Sequence, residues 1–143
     1  MSAHIVVEAL ARGTVATFSH AVMTTLLRDD LAFHGALFSD DLEMKAVAAS
    51  HAVEESAVLA IAAGCDILLV CKDEELAERA FEALVREIEK SAAFRERARQ
   101  AAGRSETLAT TARARAEAAQ KSMTEAPSLA DVSAEIARRG AGA

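Results

Sequence analysis

The segment Cys65-Asp-Ile-Leu-Leu-Val-Cys71 constrains the fold more than any other stretch of this chain. It has the length of a strand and is apolar at both odd and even positions, so neither of its faces suits water. Such a run predicts a strand covered on both sides, the kind found in parallel sheets. Its neighbours supply the cover. Before it, "VEESAVLAIAAG" from Val53 predicts a helix with acids in its first turn and Gly64 as its stop. After it, Asp73 caps a helix to about Lys90, with Leu76, Ala80, Phe81, Leu84, Val85 and Ile88 as an apolar stripe. Further upstream, Ala3–Val7 ("AHIVV") and Ala36–Phe38 predict short strands. Between them "FSHAVMTTLLRDDLAFHG" predicts a helix with Ser19 as N-cap and Phe18 stapled onto Met23. Three strands alternating with three helices predict an α/β fold with parallel strands and right-handed crossovers.

Beyond Ser91 the pattern thins to a weak stripe of Phe94, Ala98, Ala102 and Leu108. The expected organisation is therefore a folded region over 1–90, surface helices over 91–121, and a poorly ordered tail over 122–143 with a short helix near Leu129–Arg138. At 143 residues the chain suits one compact core. Hydrophobic residues make up 52%, yet Phe is the only aromatic, so the interior is expected to consist of small, close contacts. The net charge of −6 argues against nucleic acid as a partner. Arginines from Arg95 to Arg115 alternate with Glu96 and Glu106, as on a solvated helix face. No apolar run is long enough to span a bilayer and no secretory signal opens the chain, so a cytoplasmic location is expected. Cys65 and Cys71 would lie about 20 Å apart along a strand, too far for a disulfide, and are expected to be buried thiols.

In parallel α/β folds the chemistry sits at the carboxyl ends of the strands. Ser39, Asp40 and Asp41 occupy that place after the second strand, His4 lies in the first, and Lys72 and Asp73 follow the third. The plainest reading of the acidic group is a helix start, since Asp40 and Glu43 stand three apart as in a capping arrangement. His4 reads most simply as a hydrogen-bonded core or rim histidine, and Glu43 and Lys45 as exposed helix residues. His20, His34 and His51 have no metal-ligand spacing, and no phosphate loop or serine elbow is present, so neither metal nor cofactor is expected.

The stretches "MSAHIVV", "ATFSHAVMTTLLRDDLAFHGALFSDDLEMKAV" and "AIAAGCDILLVCKDEEL" resemble the closing part of the catalytic barrel of glycoside hydrolase family 3 β-N-acetylhexosaminidases, bacterial enzymes of peptidoglycan recycling. The resemblance runs in register over roughly residues 1–90. It implies the last three β/α units of a (β/α)8 barrel of the TIM type. It further implies that Asp40, following Ser39 at the strand end, is the catalytic nucleophile of a retaining glycosidase. The implied substrate is a terminal β-linked N-acetylglucosamine on muropeptides. His4 matches the family's "M.AH" strand and is implied to face the sugar. His20 stands where a helix-starting Pro is common in the family, and Ala32 where it tends to have Gly.

One departure is large. The histidine acid/base of this subfamily belongs to "KHFPGHG" and "DSH"-like motifs, which this sequence does not contain. A whole barrel takes about 250 residues. The chain is thus expected to be part of a longer enzyme that is inactive alone and completed by an N-terminal barrel segment. The alternative expectation is a non-catalytic module or relic that pairs with another chain or with itself through its open sheet edges.

Overall fold

The structure, a computed structural model, describes residues 1–125 and 128–140, with side chains through residue 121 and over 128–139. Residues 126–127 and 141–143 of the expected tail lie outside the described residues. The chain divides into two units, Met1–Leu108 and Ala109 onward.

In the first unit a 3-10 turn (Ala16–Phe18) leads into a π-helix (Ala21–Asp30). There follow β1 (Phe38–Asp41), the single-turn α1 (Lys45–Ala48), α2 (Val53–Ala63), β2 (Ile67–Leu69), α3 (Glu74–Lys90) and α4 (Ala92–Glu125), whose residues beyond Leu108 belong to the second unit. β1 and β2 are parallel, as expected, with Phe38 opposite Ile67 and Asp41 opposite Leu69. Three steps along β1 match two along β2. The irregularity has a local cause: the Leu69 N–H donates to the hydroxyl of Ser39 at 2.9 Å, so a side chain takes one rung of the ladder.

The described residues form two strands where three were expected. Ala3–Val7 is not a strand. Ser2 N–H donates to the Phe38 carbonyl at 2.8 Å, which begins a third rail beside β1. The chain then turns back on itself, with Val6 bridging Val15 antiparallel and Ala16 N–H donating to the Ile5 carbonyl at 2.7 Å. That local pairing draws the segment away from β1. Its contact with the strand passes to side chains, Ser2 Oγ accepting the Asp40 N–H at 3.1 Å and His4 reaching the Asp41 carbonyl. β2 is half-buried for the same reason: with one strand partner, its outer side lacks the cover that its apolar run anticipates.

Two small apolar clusters fill the interior. Ala16, Val22, Met23, Leu37, Ala60, Ala63 and Cys65 form one, and Leu42, Val53, Ala57 and Ala80 the other. Phe18 and Leu68 pack against both and join them. Alanine at 57 and 60 is fully buried, so α2 approaches its neighbours closely, as the composition anticipates. Gly64 ends α2 at φ +137°, and a Cβ there would lie 3.0 Å from the Met23 backbone; both the turn and the close approach require glycine. On α3, Leu76, Ala80 and Leu84 face the core, whereas Phe81 is 67% exposed and Val85 is also exposed.

The helix expected after Ser19 forms, but wound as a π-helix. Ser19 Oγ accepts the Val22 N–H at 3.3 Å and starts it. At the other end Leu31 N–H donates to Leu26 and Phe33 N–H to Leu27, both at 2.9 Å, so the chain closes a wide turn. Ala32 sits there at φ +50°, a left-handed conformation that glycine adopts without cost.

In the second unit α5 (Leu129–Gly140) covers the short helix expected near Leu129–Arg138. A reciprocal cap starts it, Ser128 Oγ donating to Asp131 Oδ2 at 2.6 Å while Asp131 N–H donates back to Ser128 Oγ at 3.1 Å.

Candidate active site

β1 carries Ser39, Asp40 and Asp41 to its carboxyl end, and each has a separate task there. Ser39 is fully buried and serves the sheet through Leu69. Asp40 is half-buried, and its Oδ1 accepts the N–H of Asp41 at 2.9 Å. Asp41 Oδ1 accepts the Glu43 N–H at 3.1 Å, a tight turn that leads the chain off the strand. The expected cap does not form. α1 begins after Met44 with no side-chain cap, and Glu43 turns across to accept the Lys72 N–H at 2.6 Å. Glu43 is therefore no loose helix residue: it ties the end of β1 to the loop that follows β2. Lys45 is exposed, as expected. Asp73 caps α3, its Oδ1 accepting the Glu75 N–H at 2.9 Å.

His4 comes to the same end of the sheet. Its Nε2–H donates to the Asp41 carbonyl at 2.9 Å, while its Nδ1 is buried with no partner among the described residues. Phe18 lies beside the ring, with centroids 6.1 Å apart. The structure thus brings His4, Asp40 and Asp41 together; it leaves His20 and His34 exposed on the surface of the same unit. Cys71 is exposed at the end of β2, against the expectation of a buried thiol, because the strand stops at Leu69. Partial desolvation and the neighbouring Asp41 and Glu43 carboxylates push its thiol up. Cys65 is buried, and desolvation pushes it up to about 11. Among the described residues no set of three His, Cys, Asp or Glu side chains could hold a metal ion.

A second constellation lies at the opposite, amino-terminal end of the sheet and was not anticipated from the sequence. Asp66 has a fully buried side chain. Its Oδ2 meets Arg28 at 2.6 Å and the Leu37 N–H at 2.9 Å; its Oδ1 meets Arg97 at 2.8 Å and Arg104 at 3.0 Å. Arg97 and Arg104 thus leave the solvated face assigned to the Arg95–Arg115 stretch. The available signal was Asp66 itself, a lone charge opening an apolar strand. A buried carboxylate demands paired cations.

Asp40 thus stands at the carboxyl end of a parallel strand, where α/β folds carry their chemistry, with one oxygen held by the N–H of the next residue. The family model of the glycosyl hydrolase family 3 N-terminal domain matches residues 1–108, and the chain belongs to that family. A β-hexosaminidase of Idiomarina loihiensis is 45% identical over 58 residues, which is 41% of this chain and 18% of the relative. One of Nitrosospira multiformis is 41% identical over 81 residues, 54% of this chain and 22% of the relative. A solved family 3 β-N-acetylglucosaminidase of Paenibacillus superposes with a TM-score of 0.67 at 35% identity, over 71% of this chain and 20% of that one. The chain spans about a fifth of the length of these relatives.

Proposed function

We propose that Asp40 is the nucleophile of a retaining β-N-acetylhexosaminidase and that this chain supplies the closing part of its barrel. One observation carries the reading. The Asp40 carboxylate is not consumed as a helix cap: Oδ1 is fixed by the Asp41 N–H, and among the described residues nothing bonds Oδ2. A carboxylate oriented on one oxygen and open on the other suits attack on an anomeric carbon. In the first step Asp40 forms an ester to C1 as the glycosidic bond breaks, and the leaving oxygen takes a proton from the acid/base. In the second, water attacks C1, gives its proton to the same base, and frees Asp40 with net retention.

The acid/base histidine of the family is not among the residues of this sequence. Proton transfer is typically worth 10²–10⁴-fold, so the chain by itself turns over slowly or not at all until a barrel segment bearing that histidine joins it. The substrate is a terminal β-linked N-acetylglucosamine, on muropeptides in cytoplasmic peptidoglycan recycling, with His4 lining the sugar side of the site. This part of the reading rests on the resemblance and on the names of the relatives. Among the described residues no helix is long and apolar enough to cross a membrane.

The test is hydrolysis of a chromogenic β-N-acetylglucosaminide by this chain, alone and mixed with an N-terminal barrel segment of a relative. Activity is expected in the mixture and is lost with Asp40→Asn. Activity that survives Asp40→Asn overturns the assignment.

A second reading has its own observation. Phe81 and Val85 on α3, and Ile5 and Val6 in the segment that pairs with Val15 and Ala16, are exposed. These apolar surfaces suit a module that pairs with another chain or with itself. Sedimentation separates the two. A monomer that associates only with the barrel segment fits the enzyme, and a self-sufficient homo-oligomer fits the module.

A further inference from the structure

The arginine cluster at the amino-terminal end of the sheet has more positive charge than its structural duty needs. Three guanidinium groups surround one carboxylate. Both Asp66 oxygens are already saturated, Oδ2 by Arg28 and the Leu37 N–H, Oδ1 by Arg97 and Arg104. The three arginines do not spend their donors alike. Arg28 uses Nη1 on the carbonyls of Phe33 and Gly35, at 2.8 and 2.7 Å. Arg97 gives Nη2 to the Cys65 carbonyl as well, but its Nη1 is buried with no partner among the described residues. A buried guanidinium nitrogen without an acceptor is costly unless something supplies one.

Beside these groups is a cavity of about 300 Å³, walled by Arg28, Arg97, Arg104, His20, Thr24 and Gln100. Asp29 also borders it and is exposed, so two of the three arginine charges remain after Asp66 and one after Asp29. The crowding is felt by Arg28. Desolvation holds Arg28 below the usual guanidinium range, and Arg104 and Arg97 push the same way against the pull of Asp66. His20 adds a further polar group to the wall.

We propose that this cavity is a binding site for a small phosphate-class oxyanion, either free phosphate or the phosphoryl group of a phosphate monoester. Guanidinium forks match tetrahedral oxyanions in geometry and charge, and the cavity is large enough for the group and its nearest substituent. The bound anion lies against Arg104 and the other cationic groups of the wall and relieves the cationic excess around Asp66. The site lies at the opposite end of the sheet from Asp40 and does not depend on the glycosidase reading.

The experiment is calorimetric titration and thermal melting of the full chain with sodium phosphate in one arm and glycerol phosphate in the other, against sodium chloride at matched ionic strength. Saturable binding with a raised Tm is expected for phosphate in the millimolar range or tighter; tighter binding in the second arm assigns the monoester. Arg104→Gln should weaken binding about tenfold, the weight of one charged hydrogen bond. Gln100→Glu puts a carboxylate on the wall without touching an Asp66 ion pair. It should weaken binding by a similar factor in a chain that folds as the parent does, and Arg99→Gln on the outer face should change nothing. A response to phosphate no greater than to chloride, or one that Gln100→Glu leaves intact, overturns the proposal.

Discussion

The hydroxyl of Ser39 accepts the backbone N–H of Leu69 at 2.9 Å, so the residue just before Asp40 is a rung of the sheet. Ser39 is fully buried and its partner belongs to β2, so this one bond fixes the height of Asp40 relative to the neighbouring strand. Replacing Ser39 by Ala leaves the Leu69 N–H without an acceptor. The expected loss is about 1–3 kcal/mol in urea unfolding, with Ser39→Thr losing less because it keeps the hydroxyl. Equal losses for the two variants would show that packing, and not the bond, is what matters at this position.

Ala32 pays a conformational cost at φ +50° that glycine would avoid. Ala32→Gly is expected to stabilise the chain by about 0.5–1 kcal/mol, the left-handed strain relieved less the extra freedom of glycine in the unfolded chain. Thermal melting checks it, and an unchanged or lowered Tm would contradict it.

Asp66 holds three arginines together across 31 to 38 positions of sequence. Asp66→Asn keeps the shape of the side chain and removes the charge, leaving the cations facing one another in a largely buried setting. A loss of about 3–5 kcal/mol is expected by chemical denaturation. Arg86→Gln, which breaks an exposed pair with Glu82 at 3.2 Å, should cost under about 1 kcal/mol.

Local rules made much of the fold legible. Asp73 as a cap, Gly64 as a stop and Ser19 as a helix start each follow from one or two neighbouring residues, and each is found in place. Parallel pairing of β1 and β2 followed from the uninterrupted apolar run Ile67–Val70. What failed was non-local. Ala3–Val7 has the composition of a strand, but its pairing was decided by Val15 and Ala16, and the composition holds no trace of that choice. Glu43 looked free because its partner, the Lys72 N–H, is 29 residues away. Arg97 and Arg104 of α4 looked solvated for the same reason. Of the candidate site, the place of Asp40 at a strand end was legible from the residues, its role came from resemblance alone, and Asp41 and Glu43 as its supports were visible only in the structure.

The two cysteines give a prediction on pH. Cys65 titrates at about 11 in the folded chain against an ordinary 9.0, because burial opposes the thiolate. The unfolded chain therefore releases that proton first. The contribution of the neutral thiol to stability is complete below pH 9 and is lost as pH rises from 9 to 11. Cys65→Ala should flatten the fall of the unfolding midpoint over that window. With a thiol reagent at neutral pH, one equivalent, Cys71, should react in the native chain and the second only after denaturation. Asp41→Asn should speed the first by removing a carboxylate that holds the Cys71 thiol up. Two fast equivalents in the native chain would contradict the burial of Cys65.

The role of Asp40 is tested most directly by trapping the intermediate. The chain complemented with an N-terminal barrel segment is treated with a fluorinated, slowly released β-N-acetylglucosaminide, digested, and mapped by mass spectrometry. The account predicts one sugar mass on the peptide spanning Gly35–Lys45, fragmented to Asp40 and missing in Asp40→Asn. A sugar ester on any other carboxylate, or one that persists in Asp40→Asn, would contradict it.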